Sequence, residues 1–386
     1  MDKRKLLVVG IDGADWSIIE PLVKEGSLPT FEKMIKEGSH TVLKSTIPFQ
    51  TVPAWISMFT GKDAGELGAC DFTIPKDQEG DVFFAKSTLW KGDFVWDMLE
   101  DKGIKMGMMN IPCSYPAHKT NGVMISGMLT PSENASTYPK DLLKGEDYEI
   151  DLKPGSSLMT KDELFKNLVR INKKRFRVFK KIEEKENFNL LAIVFTITDR
   201  VQHVMMDDKD KLRETYKLID QEISYFLERF DDTIIVSDHG FCKLDNFFFI
   251  NDWLEEQGYL KKKMDLVKSI SEKLPNKFIL GVMNLLPKKI KKGVIKNIDV
   301  SSSIDFKRSK AFSVCDNSIS VKDENLIPEI ITKLEKLGFL KVHKSKELYK
   351  GLSNKNFPQI ILEPKEGSFG YKLSKDFFDK HIRKDA

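Results

Sequence analysis

The sequence predicts an α/β fold with a parallel-dominated central sheet and helices on both faces. Three observations carry that prediction. Continuous apolar runs at Leu6–Ile11, Leu190–Ile197 and Thr233–Val236 read as strands buried on both faces. Segments with helical periodicity alternate with them. An aspartate (Asp12, Asp199, Asp238) stands just past each run, where the C-terminal edge of a parallel sheet gathers ligands.

The elements follow in order. After the first strand, residues 17 to 37 have helical character, broken near Gly26-Ser27-Leu28-Pro29. A helix begins at Thr51, and Pro53 suits its first turn, where a missing N–H costs little. Residues 94 to 102 read as helix and 105 to 110 as strand, followed by a Pro-marked loop to Pro116. Residues 130 to 185 form an excursion, loop-rich to Pro154 and then a long charged helix from Lys161 to Lys185. Residues 212 to 230 are helical and feed the strand before Asp238. The expectation is one α/β domain over 1–386, with a Lys-rich helical insertion over 251–303.

Composition narrows the class. Hydrophobic content of 41% and charged content of 31% describe a folded globular chain and exclude a disordered one. The cysteines, Cys70, Cys113, Cys242 and Cys315, make no CxxC pair, so neither a disulfide framework nor a Cys-zinc site is expected. The run before Asp12 is too short for a secretory core, and no segment approaches a membrane span. A cytoplasmic location is the resulting expectation. Net charge is only +4, but residues 261–296 hold eleven lysines against Asp265 and Glu272, with apolar residues interleaved. A solvated helical cap is the preferred reading, and a membrane-surface contact is the alternative. No nucleic-acid-binding motif is present.

Chemistry concentrates at four places. Asp12 lies in Gly10-Ile11-Asp12-Gly13, which alone reads as strand punctuation as readily as a site. Asp199 and His203 are four apart and share a face if a helix opens there; an isolated pair of this kind is usually an exposed ion pair. Asp238 and His239 are adjacent at a strand end, where both would need partners if buried. Thr51 offers a hydroxyl at a helix start, beside backbone N–H groups that favour anions. A hydroxyl among carboxylates and imidazoles is what two-metal phosphoryl transfer requires.

Taken in order, Asp12, Thr51-Val-Pro-Ala-Trp55, Asp199-x-x-x-His203 and Ser237-Asp238-His239-Gly240-Phe241 resemble the alkaline phosphatase superfamily, in its type I phosphodiesterase/nucleotide pyrophosphatase branch. The resemblance runs to about Phe249 and resumes at Ile304-Asp305. It implies an alkaline phosphatase-like fold and a hydrolase that cleaves phosphodiester or pyrophosphate bonds of a small nucleotide-type substrate through a phospho-threonine. It implies two divalent ions. Asp12, Thr51, Asp238 and His239 would hold one, with Thr51 as nucleophile; Asp199 and His203 would hold the other. Such ligands suit Zn²⁺, with Mn²⁺ the alternative.

Two departures stand out. The family's phosphate-binding Asn, about twenty residues after the nucleophile, is replaced here by Gly68-Ala69-Cys70-Asp71-Phe72, which leaves Asn110 as the candidate substrate-binding amide. The family's late His-Arg segment, source of a third ligand for the second ion, is expected beyond Ala386, with His381 a weak substitute. Three functions therefore compete: a diesterase, a phosphomonoesterase or phosphomutase of the same superfamily, and a catalytically weakened binding protein. Only Arg200 adds a cation near the motifs, which favours diesters over more highly charged monoesters.

Overall fold

A computed structural model describes residues 4–131, 136–152, 159–243, 246–263, 303–365 and 369–372. The chain divides into two compact units. Met1–Thr73, Phe84–Lys243 and Tyr349–Asn354 form the first, and Ile74–Phe83, Leu244–Leu348 and Lys355–Ala386 the second.

The first unit is built on a six-stranded sheet. Its strands are β1 (Leu6–Ile11), β2 (Met106–Ile111), β3 (Gly122–Ser126), β4 (Thr137–Tyr138), β5 (Leu190–Phe195) and β6 (Asp232–Val236). They lie in the order β4-β3-β2-β5-β1-β6. All neighbours are parallel except β4, which pairs antiparallel with β3 at the edge. Strand β1 is central: Leu6 to Ile11 pair with Leu190 to Phe195 on one side, and Leu6 to Gly10 with Asp232 to Val236 on the other. The C-terminal ends of β5, β1 and β6 are thereby brought level.

Both faces of the sheet are covered. Leu7, Val9 and Ile11 of β1 point into a core shared with α1 (Trp16–Lys24), α2 (Pro29–Glu37), α4 (Lys161–Lys185), α5 (Ile197–Met205) and α6 (Lys209–Leu227). On the opposite face, Gly10 meets Trp55 of α3 (Thr51–Thr60). Seven of the ten residues of α3 are buried, which is why it is apolar nearly all round and not amphipathic. It ends at Gly61, whose φ of 71° supplies a left-handed cap.

The excursion expected over 130–185 rejoins the main body: β4 extends the sheet, and α4 buries Phe165, Leu168, Val178, Phe179 and Ile182 in its core. A reciprocal capping box between Thr160 and Glu163 starts α4 where the sequence predicts it. The helix expected over 94–102 is one turn, Val95–Met98, and within it Asp97 accepts from Gly92 N and pairs with His118.

The second unit carries β7 (Ala311–Phe312), β8 (Ser318–Val321), β9 (Leu340–Lys344) and β10 (Ile360–Pro364), antiparallel in the order β7-β8-β10-β9. Of the Lys-rich insertion expected over 251–303, Ile250–Glu256 is helical and Lys262 bridges Ile304. Residues 264–302 lie outside the described residues, as does His381, so neither the lysine-rich surface over 261–296 nor the substitute ligand has a structural account. Among the described residues no helix is long and apolar enough to cross a membrane.

Candidate active site

Three loops at the ends of β1, β5 and β6 converge. Strand β5 stops at Phe195, two residues earlier than its apolar run predicts, and α5 opens at Ile197. Asp199 therefore sits in the first turn of a helix and not in a free loop. His203 follows on the same face, with Nε2 3.2 Å from Asp199 Oδ1. At the end of β6, the Asp238 and His239 side chains turn toward Asp12: His239 Nε2 is 3.2 Å from Asp238 Oδ2 and 3.7 Å from Asp12 Oδ1. Thr51, the first residue of α3, places Oγ1 3.3 Å from the same nitrogen. Among the described residues no side chain caps this helix start.

The structure thus brings together Asp12, Thr51, Asp199, His203, Asp238 and His239. It also draws Asp199 toward the other set: ligand atoms of Asp12, Asp199 and His239 all lie within 4.8 Å of one another. That is the one group of three or more metal-type ligands among the described residues. His203 lies at the rim, its side chain 64% exposed and its ring edge-on to Phe241 at 4.9 Å.

Packing of the loops fixes this geometry. Gly13 N donates to Asp238 Oδ1, and Ala14 N donates to Ser237 Oγ. Thr198 Oγ1 donates to the Asp12 carbonyl at 2.6 Å, and Gln202 Nε2 to that of Gly13 at 2.7 Å, with Gln202 Oε1 in turn accepting from Tyr216. Gly13 has φ 68°, and a Cβ there would come within 3.3 Å of Asp199 Cα and Cβ. Only glycine both adopts this conformation freely and lets the two loops approach so closely. Thr198, Gln202 and Ser237 were not legible as site residues, although the first two flank Asp199 on its own helix.

The electrostatics are those of carboxylates crowded out of water. Burial, then the charges of Asp238 and Asp199, hold the Asp12 pKa well above its ordinary value. Burial pushes Asp238 up to about 6, against the opposing charge of His239. Burial also acts upward on Asp199, but His203, helped by His239 and Arg200, outweighs it and leaves the group lowered. Asp12 Oδ1, Asp199 Oδ1 and Asp238 Oδ2 are buried and, apart from the nearby imidazole nitrogens of His203 and His239, have no polar partner among the described residues. Buried polar atoms are ordinarily partnered, and orphaned ones call for an explanation. A divalent cation supplies one, since these oxygens and the His239 nitrogen are its preferred donors. The His239 ring is oriented to act as such a donor. Its Nδ1 lies 3.0 Å from the Gly240 carbonyl, a contact that holds the ring with Nε2 turned toward Asp12 and Asp238. The residues present fit a metal.

Asn110 is placed differently. It sits at a β-bulge in β2 with φ 60°, 2% exposed, and its Nδ2 donates to the Val194 carbonyl of β5 at 2.7 Å. That contact ties β2 to β5 through one amide N–H. Arg200 is likewise engaged, its guanidinium pairing with Asp151.

Comparison with known proteins places this geometry in a family. The profile of the type I phosphodiesterase / nucleotide pyrophosphatase family matches residues 6–381. A sequence search among curated proteins finds no match. Among solved structures, phosphonoacetate hydrolase from Sinorhizobium meliloti 1021, in complex with phosphonoformate, is similar with a TM-score of 0.65 at 13% identity, over 97% of this chain and 83% of that one. Murine ectonucleotide pyrophosphatase/phosphodiesterase 5, as an inactive threonine-to-alanine variant in complex with AMP, is similar with a TM-score of 0.53 at 14% identity, over 96% of this chain and 81% of that one. At such identities these likenesses concern the fold, which is the alkaline phosphatase-like one expected from the sequence. The family profile spans nearly the whole chain, and the chain belongs to the type I phosphodiesterase/nucleotide pyrophosphatase family of metal-dependent phosphoester hydrolases.

Proposed function

We propose that this protein hydrolyses a phosphodiester or pyrophosphate bond of a small, nucleotide-type substrate, with Thr51 as the nucleophile. The observation that carries the reading is the position of Thr51 Oγ1, 3.3 Å from His239 Nε2 and at the N-terminus of α3. Asp12, Thr51, Asp238 and His239 would hold one divalent ion, and Asp199 and His203 a second, Zn²⁺ being preferred and Mn²⁺ the alternative. Bound cations would supply the charge that lets a threonine hydroxyl ionise near neutral pH and that stabilises the leaving oxygen.

The chain's own groups account for the remainder. Thr51 Oγ attacks phosphorus as the bond to the leaving alcohol or phosphate breaks; water then cleaves the phospho-threonine ester and restores the hydroxyl. The N-terminus of α3 directs its positive end at the anionic phosphate. Burial of Asp12, Asp199 and Asp238 excludes water that would otherwise screen these charges. A neighbour inactivated by a threonine-to-alanine change and holding AMP supports both a threonine nucleophile and a nucleotide-type substrate. Arg200, the one cation that the motifs place nearby, already shares its charge with Asp151 and Asp199, which supports the diester reading over a monoesterase or mutase.

The test is turnover of bis-p-nitrophenyl phosphate, p-nitrophenyl phosphate and phosphonoacetate in Zn²⁺ or Mn²⁺. Preference for the diester is expected. Preference for the monoester or the phosphonate would reassign the substrate, and no turnover of any would favour a binding role.

A further inference from the structure

Asp12 and Trp55 are 43 residues apart in sequence, and the indole Nε1 of Trp55 donates to Asp12 Oδ2 at 3.0 Å. Both residues are sealed from solvent, Asp12 at 0% and Trp55 at 1% exposure. The other carboxylate oxygen, Oδ1, is left without a hydrogen bond among the described residues and faces His239. Trp55 lies four residues after Thr51, one helical turn along the same face of α3. Strand β1 makes room for the ring. A Cβ on Gly10 would stand 2.4 Å from Trp55 Cη2 and 2.8 Å from Cζ3, so the bare backbone at Gly10 is what lets the indole reach the carboxylate two residues further on.

We infer that Trp55 is a positioning residue for Asp12. By occupying Oδ2 it sets the carboxylate's rotation and commits Oδ1 as the single oxygen offered to a cation beside Thr51. One helix would then carry both the nucleophile and the donor that orients its neighbouring ligand, so that the two keep a fixed spacing. This role rests on Asp12 being a metal ligand, as proposed above. Partners of this kind fix the orientation of metal-binding side chains, and their loss ordinarily lowers metal affinity roughly 10- to 100-fold.

A buried indole N–H also needs an acceptor for its own sake, so the test must separate orientation of Asp12 from packing of the ring. Zn²⁺ is titrated by calorimetry into the wild-type chain, Trp55→Phe, and a protein with 3-benzothienylalanine at position 55. The last keeps the shape of the ring and lacks the N–H. Both variants are expected to bind Zn²⁺ roughly 10- to 100-fold more weakly. With Co²⁺ in place of Zn²⁺, the ligand-field bands of the isostere should shift from those of the wild type. Should Trp55→Phe fail to fold, the isostere decides alone. Wild-type affinity and an unshifted Co²⁺ spectrum in the isostere would overturn the inference and leave Trp55 a core residue. Absence of Zn²⁺ binding by the wild type would instead overturn the metal reading itself.

Discussion

Thr51 and His239 are separated by 188 residues, yet Thr51 Oγ1 and His239 Nε2 stand 3.3 Å apart. Two features of the fold bring them together. Strand β1 lies between β5 and β6 in the sheet, so the loops bearing Asp12, Asp199 and Asp238-His239 share one edge. Helix α3 then starts over that edge, with its apolar flank packed against Gly10. The hydroxyl is thus held by backbone elements on both sides, the pre-organisation that a nucleophile needs.

Replacing either member of the β6 pair should disable the site whatever the substrate. For Asp238→Ala and His239→Ala, kcat/KM is expected to fall roughly 10²- to 10³-fold, because lost charge stabilisation acts on the transition state. Raising substrate should not rescue the rate. Steady-state kinetics with metal content measured on the same samples checks this, and a change confined to KM would make these residues substrate contacts.

The two ions should bind unequally. In the proposed assignment Asp12, Asp238, His239 and Thr51 would hold one ion and Asp199 with His203 the other, and the His203 ring is largely in solvent. Calorimetric titration with Zn²⁺ is expected to resolve two steps, the second at least roughly 10-fold weaker. Two equally tight steps would mean that a further residue completes the Asp199–His203 shell.

Gly13→Ala should harm both fold and site. The φ of 68° costs an L-residue roughly 1–2 kcal/mol, and the new Cβ would press within 3.3 Å of Asp199. The expected result is a stability loss of that order together with weaker Zn²⁺ binding. Urea denaturation and calorimetry on the same variant measure the two parts.

A buried carboxylate far from the site predicts a pH effect on stability. Glu222 accepts from Asn172 Nδ2 at 2.8 Å while its other oxygen has no partner among the described residues, and burial pushes its pKa up to about 8. The folded state therefore holds this proton up to about pH 8, whereas the unfolded chain releases it near 4.5. The contribution of Glu222 to stability is full below pH 4.5, declines as pH rises, and levels off above 8. Glu222→Gln keeps an acceptor for Asn172 and removes the proton. It should match the wild type near pH 4.5 and exceed it at pH 8 by on the order of 4 kcal/mol. Urea unfolding at the two pH values checks the difference, and equal stabilities at both would show that Glu222 is ionised in the fold.

Much of this arrangement was legible in the sequence because its signals are local. The doubly apolar runs of β1 and β5 mark central strands, and the charged, periodic run from Lys161 to Lys185 marks α4. The Asp199–His203 spacing declares its shared helix face once a helix is assumed. Contacts made across the fold were not legible. Nothing near Trp55 says that its N–H reaches Asp12, nothing near Gln202 says that it clamps Gly13, and Asn110 gives no local sign of the bulge that turns its amide toward Val194. Such residues act through three-dimensional neighbours that are chosen by sheet order, and sheet order is not a local property.

If Thr51 is the covalent nucleophile of a metal-assisted hydrolase, the Thr51→Ala variant should lose the reaction and keep the site. Its turnover of bis-p-nitrophenyl phosphate and its Zn²⁺ affinity are to be measured on one preparation. A rate loss on the order of 10³-fold or more is expected, with the fold intact and Zn²⁺ still bound. Near-wild-type turnover by Thr51→Ala would show that the reaction does not pass through this hydroxyl.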